Sequence, residues 1–378
     1  MENPLERIRT FFSSLISRRK DSDSILGIDI GSSSIKVVQL KKKSGVVVLE
    51  TYGELSLGPY ASLDVGRATN LPAPKLAEAL KDILTEANTT TRSCGVSIPF
   101  SASLISIMTL PKVDKDQLAK MIPIEARKYI PVPISEVTLD WFVIPKEESR
   151  YLSKEEADKQ DAENKVHVLL VAIHNEMLNK YRDVLKEAGL STSFYEIEIF
   201  STIRASMKQG VEPVMIVDIG AASTKVYVVE FGIVKTSHII NKGSQDMTLA
   251  LSRSLEMSVA KAERLKREQG LLPSTENGGV KETVLLTLEY IFTEANKVLL
   301  NYQRKYNRSV SKVLFTGGGS VLKGLQAFAA EKFNADVALA DPFSKAQTPA
   351  FLENVLKDVG PEFTVAVGVA LRRLQELE

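Results

Sequence analysis

The chain has 378 residues, 44% of them hydrophobic and 25% charged, which is typical of a globular protein with room for two large domains. The net charge of +1 gives no electrostatic argument for nucleic-acid binding, and no apolar run is long enough to span a membrane or resembles a secretion signal. One cysteine, Cys94, and three histidines exclude an intramolecular disulfide and a zinc site, so any bound metal is expected to be a hard cation held by carboxylates and phosphate.

Residues 1–24 form a basic amphipathic segment before the first predicted strand. Its apolar residues recur at helical spacing, and arginines and a lysine surround them. Two interpretations stay open: a short helix on an anionic membrane surface, or a helix docked on the protein itself or a partly ordered tail.

The stretch Ile25–Leu40, ILGIDIGSSSIKVVQL, is predicted to form a β-hairpin with a polar tip. β-forming residues lead to Asp29, then Gly31 and three serines make a tight turn, and a second apolar strand follows Lys36. A carboxylate, hydroxyls and closely approachable backbone N–H groups suit a phosphate group and its metal. Since Gly/Ser turns are common, one hairpin of this kind is a weak indication.

Three segments complete the first region. Val46–Leu57 is predicted to be a third antiparallel strand, Pro72–Ala87 an amphipathic helix, and Cys94–Ile98 a short buried strand. Three successive antiparallel strands are the usual opening of a ribonuclease-H-like lobe.

The block from about residue 99 to residue 190 has a different pattern and is interpreted as a small subdomain inserted into the first lobe. The predicted strands are Leu104–Leu110, Val137–Ile144 and Val166–His174, and the predicted helices are Asp114–Tyr129 and Glu176–Ala188. The strongly charged stretch 145–165 is predicted to be a mobile hairpin tip or loop.

Val214–Val229, VMIVDIGAASTKVYVV, repeats the first hairpin without a gap. Identical residues stand at six aligned pairs of positions: 29/218, 30/219, 31/220, 34/223, 36/225 and 37/226. A repeat at domain length predicts two similar lobes that face one another across a cleft. A nucleotide in that cleft would have its phosphates held from both sides.

The chain after the second hairpin is predicted to contain two strands, several helices and one polar loop. The predicted elements are a strand at Phe231–Ile240, helical stretches at Ser244–Gln269 and Val284–Tyr306, a polar loop at Leu271–Gly279, a strand at Lys312–Phe315, and helices at Leu322–Phe333 and Phe363–Leu374. The last helix contains small residues that suit close packing.

A glycine loop, Gly317–Ser320, stands between a predicted strand and a predicted helix. Three consecutive glycines remove side chains where a flat or bulky group must touch the backbone, and a helix start adds a positive dipole end. Alone, the loop could be an ordinary turn. Beside two hairpins of the same type, it is predicted to be the third part of one nucleotide site.

Five segments in this order resemble the actin, Hsp70 and sugar-kinase superfamily, and within it the FtsA-like branch: DIGSSSIK, YEIEIFSTIRAS, DIGAASTK, FTGGGSVLKG and VAVGVALRRL. The segments DIGSSSIKVVQL, EARKYIPVPISEVTLDW and AERLKREQG resemble the PilM-like cytoplasmic proteins of type IV pilus assembly, and this resemblance extends over residues 25–374. The short, acidic end at Leu371–Glu378 favours the PilM-like over the FtsA-like proteins.

The resemblance implies an α/β, actin-like ATPase fold, with two ribonuclease-H-like lobes around a nucleotide cleft and a small α+β subdomain inserted in the first lobe. The implied division is 1–24 for the N-terminal segment, 25–98 and 191–211 for the two parts of the first lobe, 99–190 for the inserted subdomain, 212–360 for the second lobe and 361–378 for a C-terminal helix on the first lobe.

The resemblance also implies ATP with Mg²⁺ as the cofactor. Asp29 and Asp218 would hold the water-ligated metal. The phosphates would be held by the residues of the two turns: Gly31, Ser32, Ser33, Ser34, Gly220, Ala221, Ala222, Ser223 and Thr224. The adenosine would be bordered by Gly317, Gly318, Gly319 and Ser320, and its ribose or base would contact Glu263 and Lys266. Lys36 and Lys225 could reach phosphate or be exposed strand lysines.

Hydrolysis needs a water molecule oriented in line with the γ-phosphate. Glu198 is the candidate catalytic residue for orienting that water or the metal; the alternative is a solvated carboxylate at a strand end. The second turn, with Ala221 and Ala222, lacks hydroxyl ligands of efficient ATPases. The sequence therefore predicts at most a slow Mg²⁺-dependent ATPase, more suited to holding ATP than to cleaving it.

PilM-like proteins capture the cytoplasmic N-terminal tail of the inner-membrane protein PilN, which implies a PilN-like partner and a peripheral location at the inner face of the inner membrane. The candidate groove residues are Leu118, Met121, Ile122 and Tyr129; alternatively, they form the core of the inserted subdomain. Contacts with other pilus platform proteins and self-association are compatible with this role. An FtsA-like cell-division protein, or a turning-over ATPase or kinase of the same fold, remain as alternatives.

Overall fold

The computed structural model describes residues 24–144, 165–208, 210, 212–273 and 279–375. The predicted N-terminal helix, most of the predicted charged loop at 145–165 and the centre of the predicted loop at 271–279 lie outside these residues. Within the described ranges, no helix has both the length and the apolarity that a membrane span requires.

The described elements are as follows. The strands are β1 (Ser24–Ile30), β2 (Ser34–Lys43), β3 (Val46–Ser56), β4 (Ser93–Ile98), β5 (Ser103–Pro111), β6 (Val137–Val143), β7 (Lys165–His174), β8 (Ser191–Ile197), β9 (Val214–Ile219), β10 (Thr224–Glu230), β11 (Ile233–Ile240), β12 (Lys312–Thr316) and β13 (Asp336–Leu339). The helices are α1 (Ala73–Glu86), α2 (Lys115–Ala126), α3 (Asn175–Glu187), α4 (Glu198–Ser206), α5 (Ser244–Ser254), α6 (Val259–Gln269), α7 (Val280–Tyr306), α8 (Leu325–Lys332) and α9 (Glu353–Gln375).

Two five-stranded sheets have the same topology. The first has the order β3-β2-β1-β4-β8 and the second the order β11-β10-β9-β12-β13. In both sheets the first three strands in the chain are antiparallel, and the remaining two pair in parallel at the far edge. The repeated hairpin sequence therefore folds twice in the same way, and each copy occupies the centre of its sheet.

The central strand β1 is buried on both faces, and its residues alternate between two cores. Leu26 and Ile28 join the core that α1 and α3 cover. Ile25 belongs to the core on the opposite face, which α9 covers. Gly27 lies on the α9 side of the strand, where an added Cβ would stand only 2.0 Å from the carbonyl oxygen of Ala366. The strand must have glycine here because the helix backbone lies directly against it.

The second sheet also has two buried faces. Met215 and Val217 pack with α7 in the core of the second lobe. Ile216 and Tyr227 face the other way and belong to the core cluster of the first sheet. The two lobes therefore share a continuous apolar base beneath the cleft.

The inserted block contains an antiparallel sheet of order β5-β7-β6. Helix α2 packs on it, with Asp114 as its N-cap: the Asp114 side chain accepts a hydrogen bond from the backbone N–H of Gln117 at 2.8 Å. Leu118 and Ile122 are buried with Met108 in the core of this block.

Three predicted helices have different limits in the structure. The stretch predicted as one helix at Ser244–Gln269 is two helices, because Glu256 has φ +47° and Ser258 caps α6 by accepting the backbone N–H of Lys261. Helix α8 begins at Leu325, not at Leu322. Helix α9 begins ten residues before the predicted Phe363 and contains Pro361.

Candidate functional site

The turns of the two hairpins have the same backbone geometry. The N–H of Gly31 donates to the carbonyl of Ser34 at 3.0 Å, and the N–H of Gly220 donates to the carbonyl of Ser223 at 3.0 Å. Both turns line one cavity between the two sheets. The two copies of the sequence repeat therefore form two similar turns that line the same cavity.

The cavity encloses about 220 Å³. A second, more open cleft of about 790 Å³ shares six of its lining residues: Ser33, Ser34, Glu54, Gly66, Glu263 and Arg267. Pockets for ligands of drug size enclose about 300–1,000 Å³. A ligand as large as a nucleotide would therefore have to extend into this adjoining cleft or widen the cavity.

The two predicted metal-binding carboxylates line this cavity from opposite lobes. Asp29 Oδ1 accepts a hydrogen bond from Ser97 Oγ at 2.7 Å, and burial raises the Asp29 pKa although Lys36 opposes this effect. Asp218 is buried, and its Oδ2 lies 3.2 Å from Lys225 Nζ. Both carboxylates therefore face the cavity and can contact a ligand there.

Glu198 is not a solvated carboxylate at a strand end; it is the first residue of α4 and is buried. Its Oε1 accepts the backbone N–H of Phe100 at 2.7 Å, and its Oε2 lies 3.0 Å from Lys225 Nζ. Burial raises the Glu198 pKa although Lys225 opposes it. Glu198 therefore reaches the cavity but is already engaged through both oxygens.

Both predicted phosphate-contacting lysines point into the cavity and are ion-paired there. Lys225 bridges Asp218 and Glu198; burial disfavours its charged form, but the two carboxylates outweigh burial and raise its pKa. Lys36 donates to Ser34 Oγ at 2.7 Å and pairs with Glu54 Oε1 at 3.0 Å. The alternative of exposed strand lysines is wrong for both.

Glu263 and Lys266 form a buried pair in the cavity wall. Lys266 Nζ lies 2.7 Å from Glu263 Oε2 and also donates to Thr248 Oγ1 at 2.9 Å, and burial lowers the Lys266 pKa. The loop of the first lobe closes over the pair at Gly66, which has φ +86° and whose Cβ would lie 2.7 Å from Glu263 Cδ. A side chain at Gly66 would strain this left-handed backbone and displace the Glu263 carboxyl group.

The three glycines of the loop at 317–319 have two different roles. A Cβ on Gly317 would lie 2.3 Å from Asp218 Oδ1, and one on Gly319 would lie 2.3 Å from Ile219 Cγ2. These two glycines let the loop pack against the end of β9. A Cβ on Gly318 would meet only Glu362, at 3.5 Å, so this glycine alone keeps the cavity side open.

Two predicted residues do not line the cavity, and one predicted feature of the loop is absent. Thr224 Oγ1 donates to the carbonyl of Lys242, and Ser320 Oγ donates to the carbonyl of Gly317, so local backbone partners hold both hydroxyls away from the cavity. Helix α8 begins at Leu325, five residues after Ser320, so its N-terminus does not follow the glycine loop directly.

The four predicted partner-binding residues differ in their exposure: two are buried and two are accessible. Leu118 and Ile122 are core residues of the inserted block, as the alternative interpretation held. Met121 is half-buried, and Tyr129 is exposed. Ile124, which the sequence analysis did not single out, is 64% exposed on the same helix.

Several cavity residues were missed by sequence reasoning. Glu54 on β3, Arg267 on α6 and Glu362 on α9 also bring charges to the cavity wall. Burial and the neighbouring Glu54 raise the Glu362 pKa. Arg267 could have been found, because it follows Glu263 by one helical turn and its Nε donates to Glu263 Oε1 at 2.7 Å.

The donor set tests how a metal would be held. In the described part of the chain, no group of three or more histidine, cysteine, aspartate or glutamate side chains has metal-binding geometry. Asp29 and Asp218 could therefore hold a hard cation only together with ligand phosphates and water, as Mg²⁺ is commonly held.

Residues 27–374 match the profile of the family described as type IV pilus assembly protein PilM. The structure is similar to that of the PilM-PilN type IV pilus biogenesis complex, with TM-score 0.76 and 24% identity over 93% of this chain and 98% of that chain. The ethanolamine utilization protein EutJ from Carboxydothermus hydrogenoformans gives TM-score 0.52 and 14% identity over 97% of both chains. MreB5 of Spiroplasma citri bound to AMPPNP gives TM-score 0.52 and 10% identity over 95% of this chain and 98% of that chain. At these identities the structural similarities establish the fold, and the predicted actin-like α/β fold is confirmed.

Proposed function

Because the chain belongs to the PilM family of type IV pilus assembly proteins, we propose that it is a nucleotide-binding scaffold that captures the cytoplasmic tail of a membrane partner. The nucleotide is held in the cavity between the two sheets, and the partner binds to the inserted block. Nucleotide binding is proposed from the geometry of the cavity, and partner capture from the family and the fold.

The observation that carries nucleotide binding is the pair of matched turns on one cavity. Tight turns rich in glycine and small residues bring backbone N–H groups close to a ligand, which suits phosphate oxygens. Lys36 and Lys225 add positive charge beside the first and the second turn. The MreB5 structure similar to this one contains AMPPNP, a nucleotide, which supports the same type of ligand.

The adenosine is proposed to lie toward Gly318 and the Glu263–Lys266 pair. Gly318 leaves that side of the glycine loop open, and the adjoining cleft of about 790 Å³ continues past Glu263 and Gly66. Mg²⁺, when bound with the nucleotide, would supply positive charge to the phosphates, and Asp29 and Asp218 are the carboxylates that would orient its water ligands.

The geometry supports holding the nucleotide more than cleaving it. A residue that orients the attacking water needs a free acceptor toward the γ-phosphate. Each carboxylate oxygen of Glu198 already accepts one hydrogen bond, from the Phe100 N–H or from Lys225, so fewer of its lone pairs are left for a water molecule. The methyl groups of Ala221 and Ala222 add no hydroxyl beside the second turn. The proposed function is therefore that of a scaffold in which the bound nucleotide determines how far the cleft is closed.

Ser33→Asp is expected to weaken ATP binding by about 100-fold or more, because a carboxylate in the first turn would face the phosphates and like charges repel strongly in a confined site. Ser33→Ala at the same position should weaken binding by no more than about tenfold, since only a hydroxyl is lost. Isothermal titration calorimetry with ATP and ADP measures both. Equal ATP affinity in Ser33→Asp and the unaltered protein would contradict the site.

For the partner, we propose the exposed part of α2 and the turn after it. Met121 and Ile124 are three residues apart and therefore share one face of the helix, and Tyr129 follows the helix end. Both Ile124 and Tyr129 are exposed, at 64% and 39%, so a partner can reach them on this side of the inserted block. The structure of the PilM-PilN complex, which this chain resembles in fold, supports a PilN-like tail as the ligand.

Ile124→Asp is expected to lower the affinity for the N-terminal cytoplasmic peptide of a PilN-like protein by about tenfold or more, because the substitution places a charge where an apolar contact is lost. Leu286→Asp is the matched control, since Leu286 is 72% exposed on α7, outside the inserted block. Fluorescence anisotropy of the labelled peptide measures both variants. An unchanged affinity in Ile124→Asp would place the partner elsewhere.

A further inference from the structure

The outer face of α7 carries a stripe of exposed side chains that is symmetric about its centre. The stripe follows the whole helix and consists of Glu282, Leu286, Glu289, Thr293, Lys297, Leu300 and Arg304. The steps between these residues average about 3.7 residues, close to the 3.6 residues of a helical turn, so all of them lie on one face. On each side of Thr293 the other members stand at the same three distances along the chain.

We propose that this stripe is the interface of a homodimer, in which α7 packs antiparallel against α7 of a second copy around a two-fold axis at Thr293. Such an axis places each residue opposite the one at the same distance on the other side of Thr293. Leu286 then contacts Leu300 of the second copy, and its own Leu300 contacts the second Leu286. No residue of the stripe lines the nucleotide cavity or belongs to the inserted block.

The apolar residues of the stripe support this pairing. Leu286 and Leu300 are 72% and 48% exposed, although the opposite face of α7 is buried in the core of the second lobe. In the antiparallel pair they cover one another in two equivalent contacts, about 21 Å apart along the helix. Thr293 lies between these contacts, and a small side chain at the crossing point lets two helices approach closely. Its hydroxyl already donates to the carbonyl of Glu289, so it keeps this hydrogen bond when covered.

Charge complementarity favours the antiparallel arrangement. Glu282 would face Arg304 of the second copy, and Glu289 would face its Lys297. The helix macrodipole by itself favours an acid such as Glu282 in the first turn and a base such as Arg304 in the last. It does not explain Glu289 and Lys297, which lie farther from the ends of α7. A parallel pair would set Glu289 against Glu289 and Lys297 against Lys297, where like charges repel.

The two central charges have exposed partners within one copy. Lys297 Nζ lies 2.6 Å from Glu294 Oε1, and Glu289 Oε1 lies 3.6 Å from Lys332 Nζ. Exposed pairs of this kind contribute little to stability, so they can be exchanged for pairs across the dimer. The interface of a single helix pair is smaller than that of most stable complexes. We therefore expect a dimer that dissociates in the micromolar range.

Sedimentation equilibrium of the full chain over about 1 to 100 µM is expected to show a monomer that becomes a dimer as the concentration rises. Leu286→Asp should raise the dissociation constant by about tenfold or more, because it places a carboxylate against Leu300 of the second copy. Val355→Asp is the matched control, since Val355 is an exposed apolar residue on α9, and it should dimerise as the unaltered protein does. Circular dichroism checks that both variants fold.

Charge reversal tests the direction of the pairing. Glu289→Lys sets lysine against lysine at both central contacts, and Lys297→Glu sets glutamate against glutamate, so each variant should dimerise about tenfold more weakly or worse. The double variant with both changes restores opposite charges and should dimerise as the unaltered protein does. In a parallel pair neither single change would weaken the dimer, so unchanged dimerisation of both single variants would overturn the antiparallel pairing.

A cysteine on the two-fold axis tests the register directly. Thr293→Cys brings two thiols together across helices whose axes lie about 8–10 Å apart, within reach of a disulfide, and mild oxidation should give a covalent dimer. Gln303→Cys is the control: Gln303 is exposed on the same helix, but its two copies would lie about 30 Å apart in the dimer and should not be linked. The native Cys94 is buried and is present in both variants.

The outcomes are separate from those of the proposed function. Leu286→Asp should lose the dimer and keep the affinities for ATP and the partner peptide, whereas Ile124→Asp should weaken peptide binding and keep the dimer. A chain that stays monomeric at about 100 µM overturns the dimer and assigns the stripe to a different partner. Oxidation that links Thr293→Cys no better than Gln303→Cys also overturns it. Neither result affects the proposed nucleotide or peptide binding.

Discussion

Glu196→Gln is expected to destabilise the protein by about 3–5 kcal/mol, because it removes the charge of a buried carboxylate that pairs with both Arg204 and Arg372. Arg204 contacts both carboxylate oxygens, NH1 to Oε2 at 2.6 Å and NH2 to Oε1 at 2.7 Å. Arg372 NH1 lies 3.4 Å from Oε1, and both Glu196 and Arg372 are almost fully buried. Breaking a buried pair leaves an uncompensated charge, which costs far more than losing an exposed pair.

Urea unfolding followed by circular dichroism measures this difference. Glu353→Gln is the matched control, because Glu353 also pairs with a basic side chain, Lys357 at 2.9 Å, but is 62% exposed at the start of α9. Its loss should change the free energy of unfolding by less than about 1 kcal/mol. Equal urea midpoints for Glu196→Gln and Glu353→Gln would show that the buried cluster does not stabilise the fold.

The Glu196 carboxylate also makes the free energy of unfolding depend on pH, and its environment determines the direction of this dependence. Burial raises the pKa of Glu196, but Arg204 and Arg372 outweigh burial and hold the pKa below its ordinary value. The folded protein therefore binds fewer protons at this site than the unfolded chain, whose glutamate pKa is about 4.3. The stabilisation is fully present above that pH and is lost as the pH falls through the lower, folded pKa. Acidification should therefore destabilise the unaltered protein more steeply than Glu196→Gln.

Much of the candidate site could be predicted because it lies in short, repeated segments. Asp29 and Asp218 end equivalent strands, and local sequence determines both turns through glycine and small residues. The repeat predicted two lobes, and the resemblance to a known family predicted which surfaces face the cleft. Thr224 lies outside the cavity because its hydroxyl donates to the carbonyl of Lys242, 18 residues further along the chain, a contact that the local sequence does not predict. The hydroxyl of Ser320 is held locally, by the carbonyl of Gly317 three residues earlier.

The ion pairs of the cavity were the part that sequence alone could not predict. Lys225 on β10 and Glu198 at the start of α4 are 27 residues apart and belong to different lobes, so their contact depends on how the lobes pack. Lys36 and Glu54 are cross-strand neighbours, but a β-bulge between Gln39 and Leu40 shifts the register that would identify them. A register counted from the turn at residues 44 and 45 without that bulge pairs Lys36 with the wrong residue.

The division of α5 from α6 shows the same limit at the level of secondary structure. Helical periodicity continues through residues 244–269, yet Glu256 adopts a left-handed backbone conformation and Ser258 starts a new helix. Ser258 is a typical N-cap residue and was the available indication of the break. The break turns α6 so that Glu263 and Lys266 are buried against Thr248 on α5.

Gly368→Ala is expected to destabilise the protein by at least about 3 kcal/mol, because the added methyl group has no space. An ideal Cβ on Gly368 would lie 1.9 Å from the carbonyl oxygen of Ser201 on α4. That atom is backbone and cannot rotate away, so α9 and α4 would have to separate, and overpacking of a close interface is costly. Gly27 on β1 approaches the same helix equally closely, so α9 is confined on two sides.

Gly360→Ala on the same helix is the matched control. Its Cβ would meet Pro342 Cδ at 3.3 Å and nothing closer, so a small movement of one ring relieves the contact. The higher helix propensity of alanine opposes this small cost, by less than in an ordinary helix interior because Pro361 follows and disfavours a helical backbone at a residue with a Cβ. Urea unfolding of both variants should therefore show a large loss for Gly368→Ala and a change within about 1 kcal/mol for Gly360→Ala. Similar losses in the two variants would contradict the close packing of α9.

Helix α9 also contacts the candidate site, so the Gly368→Ala substitution is expected to affect ATP binding. The carbonyl of Pro361 on α9 accepts the N–H of Gly317 at 2.9 Å and Thr316 Oγ1 at 2.9 Å, and α4 carries Glu198 at its first residue. Separating α9 from α4 would therefore move the glycine loop relative to Glu198 and Lys225. If Gly368→Ala still folds at low temperature, its ATP affinity should fall, whereas Gly360→Ala should bind ATP as tightly as the unaltered protein. A folded Gly368→Ala variant with unchanged ATP affinity would show that the cavity does not depend on the position of this helix.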